Sequence, residues 1–450
     1  MIQRESQLFQ SVRVGDLITV QQLLDAGVNV NCSDRDQATP LMYAVVNHQL
    51  DMVNLLLSAG ARVNQAKPPH QITALMLAAA HNRVEICDRL IQTEIELDAV
   101  NDDGSTALMV AAYKGHSVIV QSLLTAGANP HLIDTQGDSA LKLAIQSKNL
   151  ATIATLLQFG VDPNSGNVLL LATRLGQKEA VKLLLEKGAD VNQANLAGET
   201  PLTLIAKQGD REIWNILRQF DVKLTVDALM TAAGEGQDEF VKTLIQAGLD
   251  IDTEDENGDT ALHLACLEGH VSVVSALLAL GANVNHRNHL GDTPLLIALL
   301  QDHPEIADQL LCAGANPHFA NEEEMPVTLA VKNQQHKIIH LLLKAGVDPD
   351  TRFPDSKTLL MKAADLGDRD LVEILLQAGA DVNLTDSTQA TALMWASHRG
   401  YAEIVKTLIQ IPAIDLDAKN RGGYTALMLA SFNQYFDVVD ILKKAGASEC

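Results

Sequence analysis

Aromatic side chains make up only 3% of this 450-residue chain, so large ring clusters cannot anchor its core. Cysteine is equally thin. Cys32, Cys87, Cys266, Cys312 and Cys450 are odd in number, far apart and without a Cys-x-x-Cys pair, which argues against a disulfide framework and reads as reduced thiols. Cys87 and Cys266 stand in slots that take small hydrophobes elsewhere in the chain, and read as buried ones. Positive charge is short as well. A net charge of −23 repels nucleic-acid phosphates and an anionic leaflet, which argues against nucleic acid as a partner and favours a neutral or basic protein. Long hydrophobic runs are missing: nowhere do about 18 apolar residues run together, and the N-terminal stretch has no signal-like core. A soluble, intracellular, cytoplasmic chain without membrane insertion is the expectation. Neither a glycine-rich phosphate loop nor a Gly-x-Ser-x-Gly elbow is present, and no linker or low-complexity segment interrupts the chain.

What the sequence has is a ladder. Glycine follows an apolar run about every 33 residues, a spacing that marks a repeat array, at Gly27, Gly60, Gly127, Gly160, Gly188, Gly248, Gly281, Gly314, Gly346, Gly379 and Gly446. Glu94, Asp221 and Ala413 fill the missing rungs. The segment from Asp102 to Ile133 shows the unit. Asp102-Asp103-Gly104 makes a turn, Thr106 caps a short helix, and Leu108, Ala111 and Ala112 form its buried stripe. After Gly115, the residues Ile119, Val120, Leu123 and Leu124 recur at helical spacing until Gly127, which predicts a second, antiparallel helix. The alanine pairs Ala78-Ala79, Ala111-Ala112, Ala232-Ala233 and Ala363-Ala364 allow inner helices to approach more closely than outer ones, which predicts a curved stack.

This pattern resembles the ankyrin repeat family. The fullest copy is Asn257-Gly258-Asp259-Thr260-Ala261-Leu262-His263-Leu264-Ala265-Cys266, followed by Gly269-His270-Val271 and Gly281-Ala282-Asn283-Val284-Asn285. Thr-Pro-Leu recurs at Thr39, Thr200 and Thr293. The resemblance implies an all-α fold: an ankyrin-repeat solenoid of stacked antiparallel helix pairs with short β-hairpin or turn fingers, curved and elongated. The reading is one solenoid over 1–450, of about fourteen repeats with a contour on the order of 120–140 Å. It has a cap repeat at 1–33, internal repeats over 34–419, short-finger repeats near 167–194 and 228–254, and a C-terminal cap at 420–450. Gln10, Arg13 and Gln21 wet one end, and Asp437, Asp440, Lys443 and Lys444 the other. The family's turn histidine survives only at His263, and Met42, Met76, Met109, Met394 and Met428 replace it by packing.

The resemblance also places partner binding on the finger tips and the groove side of the inner helices. The tip candidates are acidic: Asp102, Asp103, Asp138, Glu199, Asp255, Glu256, Asp259, Asp292, Glu322, Glu323 and Glu324. The inner-helix candidates are Tyr113, Lys114, Leu267, Glu268, His398, Arg399 and Phe432, with Tyr113 and Phe432 as aromatic anchors. Phe432 could equally cover the last core. Trp214 and Trp395 occupy aliphatic slots and read as core.

His336 and His340 lie four apart on one helix, the spacing of a zinc-holding pair, but Lys337 stands where a general-base Glu would be and no third ligand is near. His286 and His289 share a finger and read as a polar turn. No cofactor, metal or catalytic group follows from these residues, and an enzyme is not expected. The functional reading is a non-catalytic, monomeric scaffold or adaptor that binds a protein partner. The alternatives are a structural or assembly element, and an inhibitor or effector that occludes a partner.

Overall fold

The computed structural model describes residues 2–320 and 325–448. Its repeating element follows from the local chemistry. In the helix Ala107–Lys114, the Thr106 hydroxyl accepts the Met109 amide at 3.3 Å, an N-cap that stabilises a helix start by about 1 kcal/mol. The Thr106 amide donates in turn to Met109 Sδ at 3.5 Å, and Met42 and Met361 repeat that contact. Methionine therefore does more here than pack. Its sulfur takes the place of the imidazole of His263, whose Nδ1 accepts the Thr260 amide at 3.2 Å.

The two glycines of this repeat are needed for different reasons. Gly127 ends the outer helix Ser117–Thr125 at φ 98°, and the Gly127 and Ala128 amides donate to Leu124 and Leu123 carbonyls. A Cβ there would meet nothing within 4 Å, so only the left-handed backbone requires glycine. Gly115, at φ 76°, has no such room. A Cβ would sit 2.2 Å from Asn149 Nδ2, and that amide donates to the Gly115 carbonyl at 3.2 Å.

The chain forms two compact units, Met1–Lys223 and Leu224–Cys450, and among the described residues each holds seven antiparallel helix pairs. In the first unit Ala74–Ala80, Ala107–Lys114 and Ala140–Gln146 pack in succession, with Ala78, Ala79, Ala111 and Ala112 wholly buried. The outer helices Val84–Ile91, Ser117–Thr125 and Leu150–Gln158 do the same through Leu90, Leu123 and Leu156. In the second unit Leu359–Leu366, Ala392–Arg399 and Ala426–Phe432 form the same inner row over Ala363, Ala364, Ala396 and Ala430. Each buried leucine is worth about 1.5–3 kcal/mol, and each helix packs on its counterpart in the next repeat. Neighbours supply the stability.

A second, polar link joins successive repeats. Asn31 Nδ2 donates to the Gly60 carbonyl at 3.1 Å while its Oδ1 accepts the Arg62 amide at 2.7 Å. Asn64, Asn164, Asn192, Asn285 and Asn383 make the same pair of bonds to the next helix end. These satisfy backbone groups that a helix end leaves open. Asp98, Asp252, Asp350 and Asp417 occupy equivalent places and, with no donor to give, accept the amides of Asn129, Asn283, Asp381 and Ser448, Asp417 taking the Ser448 hydroxyl as well. Asn64, Asn192 and Asn383 reach the carbonyls of Glu94, Asp221 and Ala413, where the glycine ladder is interrupted and no residue adopts a left-handed backbone.

The β-hairpin fingers expected from the resemblance are not there. Among the described residues no strand forms, and only three isolated antiparallel bridges occur, Lys67 with Ile72, Ile133 with Ser139, and Arg352 with Thr358. The reason lies in the loop chemistry. Asn101 Oδ1 accepts the Asp103 and Ser105 amides at 3.1 and 2.7 Å, so a side chain supplies the acceptor that a paired strand would have provided. Backbone pairing then ends after one bond, Asn101 amide to Ser105 carbonyl. In the shorter connection ahead of Val168–Arg174, a single 3-10 turn, Ser165–Asn167, replaces the loop.

The outermost helices differ from a fully wetted face. Gln10, Arg13 and Gln21 are exposed as expected, and so are Asp437, Asp440, Lys443 and Lys444. Val14, Ile18 and Phe436 are also exposed, each by more than 70%.

Candidate functional site

The finger tips are built by acids and amides turned inward on their own loops. Asp134 Oδ1 accepts the Gln136 and Asp138 amides, Asp255 Oδ1 those of Asn257 and Asp259, and Asp386 Oδ1 those of Thr388 and Ala390. Neighbouring tips are tied by backbone bonds, Thr135 amide to Asp103 carbonyl at 2.9 Å in the first unit and His289 amide to Asn257 carbonyl at 2.9 Å in the second. Tip residues are thus held in a row without strands.

This construction separates the tip candidates. Asp102, Asp103 and Glu256 are exposed, and Asp102 Oδ2 lies 2.8 Å from His70 Nδ1. Asp138 is only 6% exposed and is engaged by Lys142 and by Gln146 Nε2. Glu199 pairs with Arg174 at 3.1 Å and accepts from Asn195 at 2.7 Å. Asp255 is the turn acceptor just described, Asp259 accepts from Asn288 at 2.8 Å, and Asp292 is half-buried with its carbonyl near His263 Nε2. Glu322, Glu323 and Glu324 lie outside the described residues.

The inner-helix candidates all reach solvent. Tyr113 and Lys114 are exposed side by side, as are Leu267 with Glu268 and His398 with Arg399. Phe432 is 80% exposed and covers no core. Leu300 and Leu366, which the sequence reading passed over, are exposed on the same ends of their helices. Periodicity alone could have found them, since Leu300 stands where Tyr113 and Leu267 stand in their repeats.

Trp395 corrects a second expectation. Trp214 is buried, but Trp395 is only half-buried and belongs to a polar cluster. Lys357 Nζ lies 3.5 Å from the centroid of its indole ring, and its Nε1 donates to Asp386 Oδ2 at 3.0 Å. Lys357 also pairs with Asp365 at 2.7 Å, and Arg399 Nε donates to the other Asp365 oxygen at 2.8 Å. Burial pushes the Asp365 carboxyl up, but these two cations outweigh it and hold it below the usual carboxylate range. The fourth inner-helix position is half-buried in other repeats too, at Leu77, Val110, Leu143 and Leu264. The slot is not uniformly core, although Leu204 and Ile297 are buried in it.

Charge divides unevenly between the units. Residues 224–324 hold eighteen Asp and Glu against two Lys and Arg, so about 16 of the 23 net negative charges fall in that stretch. Both cations are occupied locally: Lys242 binds Glu239 and Asp238 of its own helix, and Arg287 donates to the Gly291 and Ala320 carbonyls. Counting charge by segment would have exposed this in the sequence.

The remaining chemistry is structural. His336 Nε2 is 2.7 Å from Asp368 Oδ2, a link to the following repeat, and His340 is exposed. His286 packs edge-on against His263 and faces Glu254. Burial holds the His263 imidazole below its ordinary pKa and pushes the Cys87 thiol up to about 12. Cys32 and Cys266 are buried as well, and Cys312 is exposed. Among the described residues no group of three or more His, Cys, Asp or Glu side chains is arranged to hold a metal, and no helix is long and apolar enough to cross a membrane.

Comparison with known sequences settles the family. A model described as ankyrin repeats (3 copies) matches in overlapping segments from residue 3 to residue 449. The chain belongs to the ankyrin-repeat family. Membership supports a generic role for this ankyrin-repeat chain as a scaffold for protein–protein interaction. The chain spans only a small part of the length of the curated relatives it matches. It is 27% identical over 242 residues to a transient receptor potential cation channel subfamily A member 1 homolog of Caenorhabditis elegans, covering 53% of this chain and 15% of that one. It is 43% identical over 68 residues to the 2-5A-dependent ribonuclease of Mus musculus, covering 15% of this chain and 9% of that protein. Among solved structures, the human ASB11 ankyrin repeat domain is similar at 30% identity and a TM-score of 0.41, covering 49% of this chain and 99% of that one. The ankyrin repeat domain of Bcl-3 is similar at 27% identity and a TM-score of 0.41, with coverage of 55% and 99%.

Proposed function

We propose that this ankyrin-repeat chain is a monomeric cytoplasmic adaptor whose second unit holds a basic protein segment. The observation that carries the reading is the acidity of residues 224–324, where both cations are already paired within the unit. Exposed Glu256 and Glu268, with exposed Leu267 and Leu300 in the same stretch, offer charge together with apolar footing. Phe432 and Tyr113 supply exposed aromatic anchors in their own units. At physiological salt the Debye length is about 8 Å, so each tip acts nearly alone and a partner must be extended to engage several. The same field disfavours nucleic acid.

Titration of the full chain with a fluorescent Lys/Arg-rich amphipathic peptide tests this. Affinity should fall steeply with added salt and drop about ten-fold in a Glu256→Lys, Glu268→Lys variant, as loss of two exposed charge contacts with reversal implies. Equal affinity at low and high salt, or in the variant, removes the electrostatic reading.

A second reading, assembly through contacts between copies, is favoured by the exposed Val14 and Ile18 on the first repeat and Phe432 and Phe436 on the last. Sedimentation velocity over a range of concentrations separates the two: a constant monomer rejects assembly.

A further inference from the structure

The first unit carries a site of the opposite polarity. A groove of about 550 Å³ opens between the first two finger tips and is lined by Arg35, Asp36, Lys67, Pro68, Pro69 and Ile72. Two cations thus line one groove in a chain whose net charge is −23. Among the described residues neither Arg35 nor Lys67 has a carboxylate partner, and the nearby His70 already faces Asp102 at 2.8 Å.

The register of the repeats sharpens this point. Lys67 stands six residues before its N-cap Thr73, the same place as Arg287 before Thr293 and Arg352 before Thr358. Those two arginines are spent on the scaffold. Arg287 reaches the Gly291 and Ala320 carbonyls, and Arg352 those of Ser356 and Thr385. Lys67 makes no equivalent bond, so its ammonium is left to the groove. The loop that presents it is stiff: Lys67 and Ile72 exchange both backbone bonds, at 2.8 and 3.1 Å, around two prolines. A preformed rim loses little entropy on binding.

We propose that this groove binds an extended acidic peptide segment of a partner protein. Adjacent tips in such a stack lie about 8–10 Å apart, and an extended chain rises about 3.3 Å per residue. Two carboxylates about three residues apart therefore span Arg35 and Lys67, with apolar side chains between them resting on Pro68, Pro69 and Ile72. Asp36 on the same wall repels a single dense anion, which favours spaced carboxylates over a phosphate group. The proposal goes beyond the basic-partner surface of the second unit and does not depend on it.

The test is fluorescence polarisation of the full chain with a labelled extended peptide bearing two Glu three apart, its Glu→Gln counterpart, and inorganic phosphate as competitor. The acidic peptide should bind, the Gln peptide should not, phosphate should not displace it at equal concentration, and Arg35→Gln with Lys67→Gln should weaken it about ten-fold. Arg35 is exposed and Lys67 half-buried, and circular dichroism checks that the variant is folded. The Glu256→Lys, Glu268→Lys variant should keep this binding, which separates a failure here from a failure of the second-unit reading. No binding, equal affinity of the Gln peptide or of the double variant, displacement by phosphate, or a signal that tracks self-association of the chain each overturns the proposal.

Discussion

Gly115→Ala and Gly127→Ala should not cost the same, although both glycines end a helix in the left-handed region. At Gly127 the added methyl meets nothing within 4 Å, so the cost is conformational, about 1–2 kcal/mol. At Gly115 the methyl would lie 2.2 Å from Asn149 Nδ2, and the amide must leave. Its bond to the Gly115 carbonyl goes, worth about 0.5–1.5 kcal/mol. The side chain also caps the next outer helix by accepting the Thr152 amide at 2.9 Å, another contribution of about 1 kcal/mol that a displaced Asn149 puts at risk. The expected cost of Gly115→Ala is therefore about 2–4 kcal/mol. Repeat arrays open locally, so the assay is native-state hydrogen exchange over residues 107–158 rather than one global melt. In an Asn149→Ala background the excess of Gly115→Ala over Gly127→Ala should vanish, because the clash and both bonds are already gone. Equal losses in the two single variants, or an excess that survives Asn149→Ala, refutes the reasoning.

Asp365→Asn should destabilise the second unit by about 1–3 kcal/mol at neutral pH, since Lys357 and Arg399 lose their shared counter-charge. The depressed Asp365 carboxyl contributes stability above the ordinary carboxylate pKa that is lost as pH falls through its lower folded value. Thermal melts of parent and variant should accordingly converge in strong acid. His263 is held neutral by burial, so its contribution is complete above about pH 6.5 and is lost as pH falls below that value toward its lower folded pKa. His263→Met, the residue used at Met109, should flatten that acid loss in melts across the same range. Burial and the neighbouring Asp348 and Asp381 raise the Asp350 carboxyl, so its charged form opposes folding at neutral pH. Asp350→Asn should raise stability by about 0.5–1.5 kcal/mol, with a gain that shrinks in acid, by adding the donor that Asn31 and Asn285 already use. Urea titration at two pH values checks it.

Helix pairs were legible because each rests on signals that act over a few residues: a Thr cap, an alanine pair, a glycine exit. The absence of strands was not, because whether a tip closes by backbone pairing or by Asn101 Oδ1 is settled by a side-chain torsion that the residue type alone leaves open. Burial was misjudged for the same kind of reason. Trp395 shares a slot with Val110 and Leu264, and those two residues lie half in and half out, while Leu204 and Ile297 at the same register are buried. Asp138 looked like an exposed tip acid, yet Lys142 one turn on folds back over it. Tyr113, Leu267 and Phe432 are exposed, and their nearness to the helix-ending bend, read through the family resemblance, is what pointed to that side.

The polar links between repeats have an evolutionary corollary. Within either unit, each asparagine such as Asn31 or Asn285 reaches forward to one carbonyl and one amide, and the residue that receives it belongs to a unit built to reach forward again. A duplication or loss of one whole period hands the same plug to the same socket and strands no donor. A shortened finger keeps the joint as well: Asn164 reaches the Gly188 carbonyl and takes the Asp190 amide across the repeat with the shorter connection. The array is therefore free to grow or shrink in whole steps while its joints stay unaltered, and the variation available to a partner is confined to the tips and groove ends.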